Sequence, residues 1–215
     1  MKRVVFLISG NGSNLQAIID KCKNGDIKAN IVSVISNNPD AFGLERAKSE
    51  NINTKVINHN EYKTRDLFDN DLFNYIEEVK PDLIVLAGFM RILTKKITDS
   101  YFGKIINIHP SLLPKYPGLN THSKAIENRD SLHGVSVHYV STELDAGPLI
   151  AQATIKTKEH EKIDELVKRI HKIEHKIFPK VIKLICNDQI SLDSGKVVFH
   201  DIKINGDYID EYFEI

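Results

Sequence analysis

Two hydrophobic periods take turns along the chain. Val4-Val5-Phe6-Leu7-Ile8 is continuously apolar, the pattern of a strand buried on both faces of a parallel sheet. From Leu15 the spacing changes, and Leu15, Ile18, Ile19 and Cys22 recur at helical intervals. The pattern then repeats: residues 31–35 predict a second strand, 44–49 a short helix and 55–57 a weaker strand. Leu67, Leu72, Phe73, Ile76 and Val79 mark an amphipathic helix that stops before Pro81. The most apolar run, 82–87, predicts a central strand, and 105–109 another. A short helix follows over 123–128, capped by Asn120 or Thr121. Residues 134–140 alternate, with Val135, Val137 and Tyr139 on one face and a polar face of Ser136 and His138 opposite. With 149–155 they predict an antiparallel pair joined by a loop over 141–148. The last long helix spans about 161–187, kinked at Pro179, with Ile163, Leu166, Val167, Ile170, Ile177, Val181, Leu184 and Ile185 on one face. Beyond Ser191 the expectation is short strands at 197–199 and 202–204, an Asn205-Gly206 turn and a mobile acidic tail over 207–215.

Strands alternating with helices predict an α/β fold: a central, mostly parallel twisted sheet with helices on both faces and an antiparallel pair in the C-terminal half. A chain of 215 residues, 41% hydrophobic, can build a real core. Lys plus Arg equals Asp plus Glu at 29 each, so no net charge attracts nucleic acid or an anionic membrane surface. Cys22 and Cys186 have no paired spacing and no Cys/His cluster, which predicts a reducing, cytoplasmic setting and no structural metal. The five apolar residues before Ser9 are too few for a signal-peptide core, and no later run is long enough to span a bilayer.

Three stretches carry candidate chemistry. Ser9-Gly10-Asn11-Gly12-Ser13-Asn14 joins the first strand to a helix start with small capping residues, and close-approaching glycines with unpaired N–H groups suit a phosphate. A plain tight turn is the other reading. The loop is not a dinucleotide fingerprint, because Leu15 stands at the third glycine position and no acid ends the second strand. It is not a P-loop either, since no Gly-Lys-Ser/Thr follows. In the second stretch, 104–118, Asn107 and His109 share one side of a strand, about 6.6 Å apart. Pro110, Pro114, Pro117 and Gly118 end regular structure there. A strand-end His satisfied by a backbone carbonyl, beside an Asn that shapes the turn, accounts for the pair as well as a reacting site does. The third is Glu174, a carboxylate in the middle of an apolar helical face, which needs a core arginine or a ligand. Arg65 reads as a solvated surface group at a helix start, Met90, Ile92 and Leu93 as buried packing, and Asp145 as a loop turn former.

The run Asn107-Ile108-His109-Pro110-Ser111-Leu112-Leu113-Pro114-Lys115-Tyr116-Pro117-Gly118, with Thr121-His122 and Glu143-Leu144-Asp145-Ala146-Gly147-Pro148, resembles the signature of the folate-dependent formyltransferases. The resemblance covers about residues 2–186. It implies a Rossmann-like formyltransferase fold, with a catalytic domain over 1–190 made of a nucleotide-binding half, about 1–100, and a folate and catalytic half, about 101–190, then an appendix over 191–215. It implies catalytic roles for Asn107, His109 and Asp145, the last partnering the histidine. Gly12, Ser13, Asn14, His171 and Glu174 would bind the acceptor, 5-phosphoribosylglycinamide. Arg65, Met90, Arg91, Ile92, Leu93, Asn107, Ser141, Thr142, Glu143, Leu144 and Asp145 would bind the donor, 10-formyltetrahydrofolate. No metal is required, the partners are small molecules, and the expected state is monomer or homodimer. Superfamily members that act on transfer RNA or hydrolyse the folate carry an extra RNA-contacting or regulatory domain, and neither is expected here.

Overall fold

The continuous apolar runs become parallel strands because both faces of each are covered. In the computed structural model, which describes residues 1–215, β1 is Lys2–Ile8, α1 Ser13–Lys23, β2 Ala29–Ser36, α2 Phe42–Ser49 and β3 Thr54–Val56. A 3-10 turn at His59–Glu61 leads to α3 (Arg65–Val79), β4 (Leu83–Leu86), α4 (Lys95–Ser100) and β5 (Ile105–His109). By internal packing the chain forms two units, Met1–Asn107 and Ile108–Ile215. In the first, the strands lie in the order β3-β2-β1-β4-β5, all parallel, with Phe6 opposite Val34 on one side and Val85 on the other. Val4 to Ile8 are buried. The Thr64 hydroxyl caps α3 by accepting from the Leu67 N–H (3.3 Å), and the helix stops at left-handed Lys80, before Pro81. Parallel strands send their following loops out from one edge, where Ser9 N donates to Gly88 O (3.1 Å) and Met90 N to Ser9 Oγ (2.8 Å).

The second unit contains α5 (Thr121–Glu127), β6 (Leu132–Tyr139), β7 (Leu149–Lys156), α6 (Ile163–Cys186), β8 (Ile190–Asp193), β9 (Lys196–Phe199) and β10 (Ile209–Tyr212). β6 and β7 are antiparallel, with Gly134 facing Thr154, while β10 lies parallel to β7 on its other edge, Ile209 facing Ala151. The apolar stripe of α6 packs on β6 and β7. β8 and β9 form a separate antiparallel hairpin.

Several expectations differ from the structure. The polar face expected on β6 is present but buried: Ser136 and His138 are as inaccessible as Val135 and Val137, because both sides of the strand are covered. Residues 202–204 form no strand, and 209–212, expected as part of a mobile tail, are held by hydrogen-bond pairing to β7. No helix is long and apolar enough to cross a membrane.

Candidate active site

β5 ends at His109 because Pro110 cannot continue a ladder. The imidazole is buried, with Nδ1 3.4 Å from Asp145 Oδ2 and Nε2 donating to the Tyr116 carbonyl at 2.8 Å. Both neighbours can only accept, so a ring carrying a hydrogen on each nitrogen would satisfy both of them. Their side chains are 7% and 9% exposed, which removes the solvent screening that makes surface ion pairs weak. The strand-end reading, a histidine bonded to a backbone carbonyl, and the reading of an Asp partner therefore hold together.

Asp145 sits on the β6–β7 loop in the left-handed region, φ 51°, a conformation that Asp tolerates better than most residues. Its Oδ2 accepts the Gly118 N–H (2.8 Å), and Oδ1 lies 3.8 Å from His138 Nε2. Burial holds the His138 imidazole below its usual range, and its Nδ1 donates to the Tyr139 carbonyl (2.9 Å). Two imidazoles thus flank one carboxylate. The proline-rich segment after β5 is fixed from β6 and β7: Ser136 Oγ donates to Ser111 O (2.7 Å) and accepts from Leu113 N (2.9 Å), and Gln152 Nε2 donates to Leu113 O (2.9 Å). Ser111 Oγ in turn donates to Lys115 O (2.6 Å), which shapes the turn that presents the Tyr116 carbonyl.

Nearby, His122 Nδ1 and His133 Nε2 lie 3.0 Å apart, so one ring donates and the other must offer a lone pair. Burial pushes both down to about 4, with the charge of His171 adding to it at His122 and the charge of His122 adding to it at His133. An unfolded histidine titrates near 6.5. Between about pH 6.5 and 4 the unfolded chain takes up protons that the folded pair refuses, so stability present above that window is lost as pH falls through it. His133→Gln is expected to flatten the decline of Tm between pH 7 and 4.5; an unaltered slope would show that the pair carries none of it.

Asn107 lies on β5, two residues before His109 and opposite Leu86 of β4. In the glycine loop, Gly12 is the N-cap of α1 with φ 72°, and no side chain caps that helix, in contrast to the small capping residues expected there. Ser13 and Asn14 open the helix, half-buried. Arg65 is exposed at the first position of α3. In the segment after β4, Leu93 is buried, but Met90 and Ile92 are 61% and 48% exposed, which corrects the burial expected of them. That segment has no regular structure to turn them inward. It is held at its far end by buried Asp69, whose Oδ2 accepts the Thr94 N–H, and Arg91 lies over the Phe68 ring. Ser141 is half-buried, Thr142, Glu143 and Leu144 are exposed. On α6, Glu174 is buried within the apolar stripe as periodicity predicted, while His171, a turn earlier, is exposed and its ring stacks with that of His175. The structure thus brings His109 and Asp145 together and groups the glycine loop with the Met90 segment; His138, Gly118 and the Tyr116 carbonyl join the first group without having been singled out in the sequence.

Residues 2–182 match the formyl transferase family. The chain is 48% identical over 189 residues to the phosphoribosylglycinamide formyltransferase of Escherichia coli (strain K12), covering 88% of this chain and 89% of that one. It is 42% identical over 196 residues to the human trifunctional purine biosynthetic protein adenosine-3, covering 91% of this chain and 19% of that longer protein. The solved phosphoribosylglycinamide formyltransferase of Coxiella burnetii, in complex with CHES, superposes with a TM-score of 0.92 at 44% identity, covering 98% of this chain and 99% of that one.

Proposed function

The chain belongs to the formyl transferase family, and on that premise we propose that it transfers the formyl group of 10-formyltetrahydrofolate to the amine of 5-phosphoribosylglycinamide in purine synthesis. The products are formylglycinamide ribonucleotide and tetrahydrofolate. The observation that carries the reading is the buried His109–Asp145 pair at the end of a strand that also bears Asn107.

In this reading the amine lone pair attacks the formyl carbon and an oxyanion develops on the formyl oxygen. The Asn107 amide donates to that oxygen. His109, protonated beside Asp145, stabilises the charge and gives a proton to the departing folate nitrogen as its bond to the formyl carbon breaks; the proton shed by the amine restores the ring. Asp145 keeps the imidazolium favourable throughout, because an adjacent carboxylate stabilises that form. Gly12, Ser13 and Asn14 would take the ribonucleotide phosphate on uncapped N–H groups, and Glu174 and His171 the glycinamide or ribosyl groups. Arg65, with the segment from Met90 to Leu93 and the loop from Ser141 to Asp145, would take the folate. The exposed apolar surface of Met90, Ile92 and Leu144 supports that assignment, since side chains of this kind commonly face a ligand. The nucleotide role falls to about residues 1–100, the folate and catalytic role to about 101–190, with 191–215 outside them. The two free cysteines support a cytoplasmic setting.

The purified protein is expected to release tetrahydrofolate from 10-formyltetrahydrofolate, followed by absorbance, when given 5-phosphoribosylglycinamide. It should not do so with methionyl-tRNA or with water alone as acceptor. Release that is independent of the ribonucleotide would overturn the assignment.

A further inference from the structure

The glycine loop cannot hold its own shape. Gly12 is left-handed, Asn11 is exposed, and no side chain caps the helix that follows. Ser9 is tied to Gly88, Met90 and Asn38, and what holds the residues after it, Gly10 to Gly12, comes from α2. A Cβ on Gly12 would lie 2.7 Å from the Gly43 Cα, and one on Gly43 would lie 3.2 Å from the Gly12 Cα and 3.4 Å from Gly10 O, so the loop backbone is pressed directly against the start of that helix. Gly43 N donates to Gly10 O (3.0 Å). One turn further on, Arg46 reaches back over the loop. Its Nε donates to Asn11 O (2.9 Å), Nη2 to Asn11 Oδ1 (3.1 Å) and Nη1 to Gln16 Oε1 (3.4 Å), and its guanidinium lies over the Phe42 ring at 4.8 Å.

Three donors of one rigid fork therefore grip the residue before the left-handed glycine and a residue of the first turn of α1. A lysine could supply the charge but not this geometry. Because Asn11 O is engaged by Arg46, the following peptide is fixed in the orientation that leaves the N–H groups of the helix start uncapped. The half-buried guanidinium also adds a positive charge beside them. We infer that Arg46 is a positioning residue for the nucleotide phosphate: it sets the conformation of the glycine loop, and through it the affinity for the phosphorylated acceptor, without touching the formyl chemistry. The inference rests on reading the glycine loop as the phosphate seat.

The test is a comparison of phosphoribosylglycinamide with its dephosphorylated nucleoside as acceptor, in the native enzyme and in Arg46→Met, which keeps the apolar stem. The native enzyme is expected to prefer the phosphorylated acceptor. Arg46→Met should raise KM for that acceptor about tenfold, as suits the loss of charge-assisted bonds, and leave KM for the nucleoside, KM for the folate and kcat at saturation unchanged. Arg46→Lys should not restore the native KM. If the native enzyme used both acceptors equally, the phosphate seat itself would be misassigned and the inference would fall with it. If it discriminated and Arg46→Met discriminated as well, the seat would stand and Arg46 would have no part in it. Full recovery in Arg46→Lys would assign the effect to charge and overturn positioning. Should Arg46→Met fail to melt cooperatively, Asn11→Ala removes one gripped oxygen and leaves the arginine in place; it is expected to give a smaller rise in the same KM, and no rise would count against the inference.

Discussion

Asp145→Asn lowers kcat about a thousandfold, the scale on which general acid–base and charge-stabilising groups act, while KM for both substrates stays within about threefold. The substitution is nearly isosteric, and its remaining amide oxygen can still accept the Gly118 N–H at the present 2.8 Å. Asn also tolerates the left-handed backbone of this position, so the loop keeps its path. Only the charge beside His109 is lost. That charge matters most when the ring is cationic and an oxyanion is forming, so its removal is felt in the transition state more than in the bound substrates. Steady-state kinetics with each substrate varied in turn measure the split. A native turnover number would take Asp145 out of the mechanism, and a matching rise in KM would make it a binding residue.

Gly147→Ala, two residues on, is expected to cost about 3 kcal/mol of stability, in the range of overpacking against atoms that cannot rotate aside. Its Cβ would lie 1.8 Å from the Tyr139 carbonyl oxygen, 2.9 Å from Tyr139 C and 3.2 Å from Ser141 N, all backbone. The same pinch is closed by Tyr139 N donating to Pro148 O at 2.9 Å. Relief requires the loop from Ser141 to Pro148 to peel from the end of β6, which would also carry Asp145 away from His109. Gly10→Ala is the contrast, since a Cβ there meets nothing within 4 Å. Urea denaturation of the two variants should separate them; equal stabilities would mean that the loop yields without cost.

The elements were legible where burial is uniform or periodic. Val4 to Ile8 announced β1, the stripe on α6 announced both that helix and the anomaly of Glu174, and alternation announced β6. Hidden were properties that residues acquire only from distant neighbours. Nothing local marks Ser136 as the anchor of the segment 111–113, far back in the chain, or His138 as the second imidazole on Asp145, which only the path of the loop between them brings together. The pairing of His122 with His133 was invisible for the same reason. Met90 and Ile92 show the converse: their side chains suggest burial, but the irregular backbone turns them outward. The short α4 and the 3-10 turn lack enough length to carry a period.

β7 has a neighbour of each sense, antiparallel β6 on one margin and parallel β10 on the other. The first can zip up across the loop 140–148, whereas the second must wait for α6 and a hairpin to be made. During synthesis on the ribosome, the nascent protein therefore passes through an interval in which one flank of β7 offers a row of unsatisfied amides and carbonyls to any extended polypeptide nearby. Residues 209–212 close that interval and leave β10 itself, a strand of only four residues, as the free margin, short as edge strands that resist further pairing tend to be.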